Sequence, residues 1–147
     1  MIAAATIPQI AGYRFDVAAN LSEPSIRKRL SPAAIKAFLR IAEKWGVKDQ
    51  DTRSLLGGIS SGSFYGLKRE PSRRVLDQDA LTRISLLIGI FKALNILYSQ
   101  RLADAWMTLP NSNPMFQGST PLGYILRLGL PGMIEVRQML DARRGGQ

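Results

Sequence analysis

The sequence has no histidine and no cysteine among its 147 residues. That removes the usual general base, the commonest zinc ligand and every thiolate nucleophile. Gly58-Ile59-Ser60-Ser61-Gly62 does spell Gly-x-Ser-x-Gly, the pattern that sets a nucleophilic serine on a strained strand-to-helix turn beside a histidine. Here a helical pattern precedes it and no histidine exists to serve it, so the match is coincidental. No Gly-Lys-Ser/Thr phosphate loop occurs, and Gly57-Gly58 reads as a turn. The pairs Asp49/Asp51 and Asp77/Asp79 could do acid–base work or hold magnesium, but each includes a helix-capping position and capping is the expected role. The sequence therefore points to no catalytic residue, no metal ligand and no cofactor.

What the side chains can do is meet an anion. Ser61, Ser63, Tyr65, Lys68, Arg69, Arg73 and Arg74 set hydroxyls and cations on and just after one short segment, able to reach phosphates and base edges in a major groove. The formal net charge is +9, with the excess larger before residue 77 than after it. Nucleic acid is the first partner this suggests and an anionic membrane the second. The most apolar run, Leu86 to Leu97, is only about 12 residues, short of the roughly 20 that a crossing needs, so a buried helix and no membrane partner are expected. The first residues lack a charged n-region and read as no signal peptide. Together with the absent cysteines this suits a reducing cytoplasm.

Several elements must position these groups. Residues 1–21 show no sustained period and read as an arm. Ser22-Glu23-Pro24 starts a short helix carrying Arg27, Lys28 and Arg29, which is either a solvated face or a phosphate-contacting arm. Ser31-Pro32 then looks like a fresh helix start, with Ile35, Phe38, Leu39, Ala42 and Trp45 on one stripe and Gly46 at the end. Asp49 is expected to cap a short helix through Leu55-Leu56, and Gly57-Gly58 to break it before a third helix from Ser61. A long helix, a short helix, a glycine turn and another short helix make a helix-turn-helix pattern. Gly66 weakens the third helix, which is expected to be firm only from Ser61 to Tyr65. Pro71-Ser72 marks a linker.

Asp79 is then expected to cap a long helix, apolar nearly all round and hence buried in a bundle or at a subunit interface, which makes a homodimer the expected state. Trp106 falls on a stripe with Leu102 and Leu109, then come Leu122, Ile125 and Leu128, then Met133, Val136 and Leu140. Each is the core face of a short helix. Ser119-Thr120-Pro121 and Pro131 open the last two helices, and Ala142 to Gln147 form a tail without an apolar anchor. No strand is expected. The fold class is all-α, with an arm over residues 1–30, a helix-turn-helix DNA-binding module over 31–76, and a helical module over 77–147.

From about Asp79 onward, Trp106, Pro110-Asn111, Phe116 and Gly118, Thr120-Pro121-Leu122, Leu128-Gly129, Val136-Arg137 and Leu140-Asp141 follow one another in an order that resembles the toxin-binding domain of the Xre-type antitoxins of RES–Xre modules. Trp45-Gly46-Val47, Leu55-Leu56-Gly57 and Phe64-Tyr65 before Lys68 resemble the other half of that family more loosely. The family commonly has a tryptophan just before this lysine, where this sequence has Gly66 and Leu67. The resemblance implies an antitoxin that neutralises a co-encoded, NAD⁺-degrading RES-type toxin by obstructing its active site. It also implies repression of its own operon by binding operator double-stranded DNA, hence a cytoplasmic protein that joins the nucleoid when bound. By the same resemblance the C-terminal residues Arg143, Arg144, Gly145, Gly146 and Gln147 would contact the toxin. The competing reading is a stand-alone helix-turn-helix transcriptional regulator whose C-terminal module serves to dimerise.

Overall fold

The computed structural model describes residues 19–146, so residues 1–18 of the expected arm lie outside them, as does Gln147. Every regular element among the described residues is helical. The first, α1, runs Pro24–Trp45 without a break. The two helices expected on either side of Ser31 are therefore one. Ser31 is not an N-cap: its hydroxyl donates back to the Arg27 carbonyl at 2.6 Å and accepts from the Leu76 backbone N–H at 2.8 Å. Pro32 sits inside the helix, lacking one backbone donor, while the core face on both sides of it holds the helix together. Ala34, Ile35, Phe38, Ile41 and Trp45 are all buried. Gly46, at φ 68°, ends the helix in the left-handed conformation, with its N–H and that of Val47 bonding Glu43 and Ala42 carbonyls.

Helices α2 (Asp49–Leu55) and α3 (Ser61–Arg69) follow, joined by a turn in which Gly57 and Gly58 have φ of 90° and 84°. Two capping expectations shift here. Lys48, not Asp49, is the N-cap of α2, so Asp49 stands in the first turn and complements the helix dipole. Likewise Asp77 caps α4 (Gln78–Leu97), accepting from the Ala80 N–H at 2.8 Å, while Asp79 pairs with Arg83 at 2.8 Å. The expectation that α3 frays after Tyr65 fails too. Its ladder continues to a Glu70 N–H bond onto Gly66, because burial of Phe64 and Leu67 outweighs the roughly 1 kcal/mol that a helical glycine costs.

Helix α4 is the axis of the molecule. It packs against α1, α5 (Gln100–Ala105) and α7 (Leu130–Gly146), which explains a helix apolar on nearly every face without calling on a second copy. Its 20 residues are long and apolar enough to span a bilayer by length and composition, yet Ile84, Leu87, Ile88, Ile90 and Leu94 are all enclosed by the bundle. Buried among them is Lys92, whose ammonium is held below the usual lysine range by desolvation, with Arg137 and Arg144 adding to the effect.

The C-terminal helices are knit by aromatics. Phe116, fully enclosed on a 3₁₀ turn, stands edge-on to Trp106 at 6.1 Å and to Tyr124 of α6 (Pro121–Leu128) at 5.3 Å. The expected stripes are only partly right, since Leu102, Leu109 and Leu128 are exposed whereas Trp106, Leu122, Ile125, Met133, Val136 and Leu140 are buried. Short helices of two turns bury a narrow sector, so residues at a stripe's ends turn outward. The expected tail is likewise absent: α7 stays helical through Gly146.

Candidate functional site

Helix α3 is capped by Ser60, whose hydroxyl oxygen accepts from the Ser63 N–H at 3.1 Å. Phe64 and Leu67 point into the core and so fix which side faces out. At about 100° per residue, Ser61, Tyr65, Lys68 and Arg69 share the outward face. Tyr65, at 64% exposure, is the most exposed large apolar side chain of the chain's described part. Ser63 does not join them. It lies roughly 160° around the helix from Tyr65, and its Oγ accepts a hydrogen bond from the Ser60 hydroxyl at 3.0 Å.

The cations differ in how free they are. Lys68 leans back over the Phe64 ring, 5.2 Å from its centroid, and meets Asp49 of α2 at 3.5 Å. Both partners are well exposed, so the pair is worth at most about 1 kcal/mol and yields readily to a phosphate. A half-open cleft of about 580 Å³ lies beneath this pair, lined by Leu39, Val47 and Phe64 among others. Arg73 reaches Glu70 at 3.7 Å with most of its side chain in solvent. Arg69 and Arg74 are exposed, and neither has a carboxylate within ion-pair reach among the described residues. Arg74 instead lies across Gly66.

Behind α3 the turn is braced from both sides. Arg53 Nε donates to the Ile59 carbonyl at 3.0 Å, and Gly57 sits against the Asp79–Arg83 pair of α4. Residue type alone gave no sign of this brace, because Arg53 reads as one more surface cation.

The second expected site also sits in a fixed setting. Arg143 Nη1 donates to the Tyr98 hydroxyl at 2.9 Å, and Arg144 approaches Asp141 at 3.8 Å. Arg143 and Gly145 are exposed and Arg144 is half-buried. The two arginines thus extend α7 as its last turn instead of hanging from it. Tyr98 lies 45 residues upstream, and nothing in the local pattern announces that contact.

The model of the antitoxin Xre-like helix-turn-helix domain matches residues 20–89, and that of the antitoxin Xre/MbcA/ParS C-terminal toxin-binding domain matches residues 93–146. The chain belongs to the Xre-type antitoxins. It is also 36% identical over 126 residues to "Uncharacterized protein y4oB" of Sinorhizobium fredii (strain NBRC 101917 / NGR234), covering 85% of this chain and 95% of that one. In this antitoxin the helix-turn-helix domain precedes the toxin-binding domain, and the two matches enter α4 from opposite sides. The domains are not merely strung together, since α6 of the toxin-binding domain packs on α2 of the helix-turn-helix.

Proposed function

We propose that this antitoxin binds a co-encoded RES-type toxin, obstructs its NAD⁺-degrading active site, and represses its own operon as a homodimer on operator double-stranded DNA. The observation that carries the DNA half is the outward face of α3, where Ser61, Tyr65, Lys68 and Arg69 stand clear of the core with Arg73 and Arg74 beside them. Tyr65 and Ser61 would read base edges, and the cations would hold phosphates. Two such helices reading half-sites a helical turn apart call for a dimer. Ile96 and Leu102, exposed where α4 meets α5, offer it apolar surface. The protein would work in the cytoplasm, at the nucleoid when bound to DNA.

The toxin half rests on the match of a toxin-binding domain to residues 93–146 together with the family resemblance of the C-terminal motifs. We assign toxin contact to Arg143, Arg144, Gly145, Gly146 and Gln147, presented from the end of α7. The test is co-expression with the product of the adjacent open reading frame, only the antitoxin carrying a tag. Co-elution of that product and preservation of cellular NAD⁺ are expected. An antitoxin that elutes alone while NAD⁺ collapses would leave a stand-alone regulator.

A further inference from the structure

A Cβ placed on Gly66 would collide with Arg74, standing 2.7 Å from Cζ and closer still to Nη2. The guanidinium therefore occupies the space a side chain would fill, flat on the buried-side flank of α3, one residue from Tyr65. Two of the neighbouring cations meet carboxylates, Lys68 at 3.5 Å from Asp49 and Arg73 at 3.7 Å from Glu70, whereas Arg69 makes no such pair among the described residues. Arg74 is exposed and makes no such pair among the described residues, so its N–H edges remain available. What fixes its place is the missing side chain of Gly66. Glycine is otherwise a poor choice inside a helix, and a chain keeps one where another group must approach the backbone closely.

We propose that Gly66 and Arg74 form a preset phosphate clamp on the flank of α3, with Arg74 as the ligand of a DNA backbone phosphate and Gly66 as the residue that positions it. A guanidinium already laid against the helix loses little rotamer freedom on binding, and its planar fork matches two phosphate oxygens. The clamp carries no sequence information. It sets the height and tilt at which Tyr65 meets the groove. This rests on the reading of α3 as the DNA-contacting helix.

The experiment compares the full-length protein with Gly66→Ala, Arg74→Ala and the double variant, on operator and on random duplex, over a range of salt. Gly66→Ala should weaken both DNAs alike by about five- to tenfold, the cost of re-immobilising a long side chain. Its thermal midpoint should stay at or above that of the wild type, because alanine favours the helix and the guanidinium can swing aside. Arg74→Ala should also flatten the salt dependence by about 0.9 in slope for each protomer. In the Arg74→Ala background, Gly66→Ala should have no further effect. Wild-type affinity in Gly66→Ala, or an undiminished loss from it in the Arg74→Ala background, overturns the clamp while leaving α3 as the DNA helix. Failure of the wild type to bind any duplex overturns the DNA reading and the clamp with it.

Discussion

The Leu76 backbone N–H donates to the Ser31 hydroxyl at 2.8 Å, joining the linker before α4 to the middle of α1. Ser31 is fully buried and donates its own hydrogen bond to the Arg27 carbonyl at 2.6 Å, so one small hydroxyl serves two backbone groups. That relationship ties Leu76, just after the basic linker residues Arg73 and Arg74, to the core helix. Ser31→Ala would strand the Leu76 donor in a partly buried place. We expect a loss of about 1–3 kcal/mol, seen in urea denaturation as a lower midpoint with an unchanged slope.

On α3 the structure separates two residues that look equivalent in the sequence. Tyr65 faces out and Ser63 is bonded to Ser60. Tyr65→Ala should cost about 1–3 kcal/mol on operator DNA and much less on random duplex. Ser63→Ala should leave both affinities near wild type, because the Ser60 cap accepts from a backbone N–H that alanine retains. Arg73→Ala should weaken both DNAs alike. Competition titrations with the two duplexes check all three.

Much of this was legible in the sequence where a signal is local and periodic. Ile35, Phe38 and Trp45 form a core stripe that the 3.6-residue repeat announces, and Gly46, Gly57 and Gly58 mark turns because few other residues tolerate their φ. The Thr120-Pro121 start is equally local. What failed was decided elsewhere in the chain. Ser31-Pro32 has the chemistry of a helix start, but its hydroxyl was recruited by a linker 45 residues away. Gly66 reads as a helix breaker until Arg74 is seen against it. The end of α7 reads as a frayed tail until Tyr98 is seen to hold Arg143.

Tyr124 joins α6 to α7 by donating to Glu135 at 2.7 Å. That hydrogen bond is the main cause of its raised pKa, with burial and the Glu135 charge adding and Arg127, 5.8 Å from the ring, opposing. A raised folded-state value means the fold favours the protonated phenol. The stabilisation is complete below the ordinary tyrosine value of about 10, and is lost as pH climbs through the higher value in the fold. Tyr124→Phe should therefore cost about 1 kcal/mol at neutral pH. The gap between the two proteins should close in the alkaline range, as parallel denaturation series at neutral and alkaline pH would show.

The end of α7 yields the sharpest separation of functions. Leu140 is the last core residue, and beyond Ala142 the described contacts are the Arg143 bond to Tyr98 and the Arg144 approach to Asp141. The first is exposed and the second, half-buried on the Arg144 side, is a long 3.8 Å approach, so a chain ending at Ala142 should lose only about 1 kcal/mol, a few degrees in thermal midpoint. Operator binding should persist, since α3 and its basic flank lie in the other domain. What disappears is a pair of cations on a helix end. On the function proposed above, the toxin's cleft accommodates the pyrophosphate of NAD⁺, and Arg143 or Arg144 would occupy that anion subsite, Arg143 after leaving the Tyr98 hydroxyl. Rescue of cells expressing the toxin should therefore fail with the truncated chain while folding and DNA binding stay near wild type. Tyr98→Phe, which frees Arg143 without removing it, should rescue fully. Rescue by the truncated chain would instead place the inhibitory surface on α6 and α7 between Pro121 and Leu140, and loss of all three properties would make this last turn part of the fold.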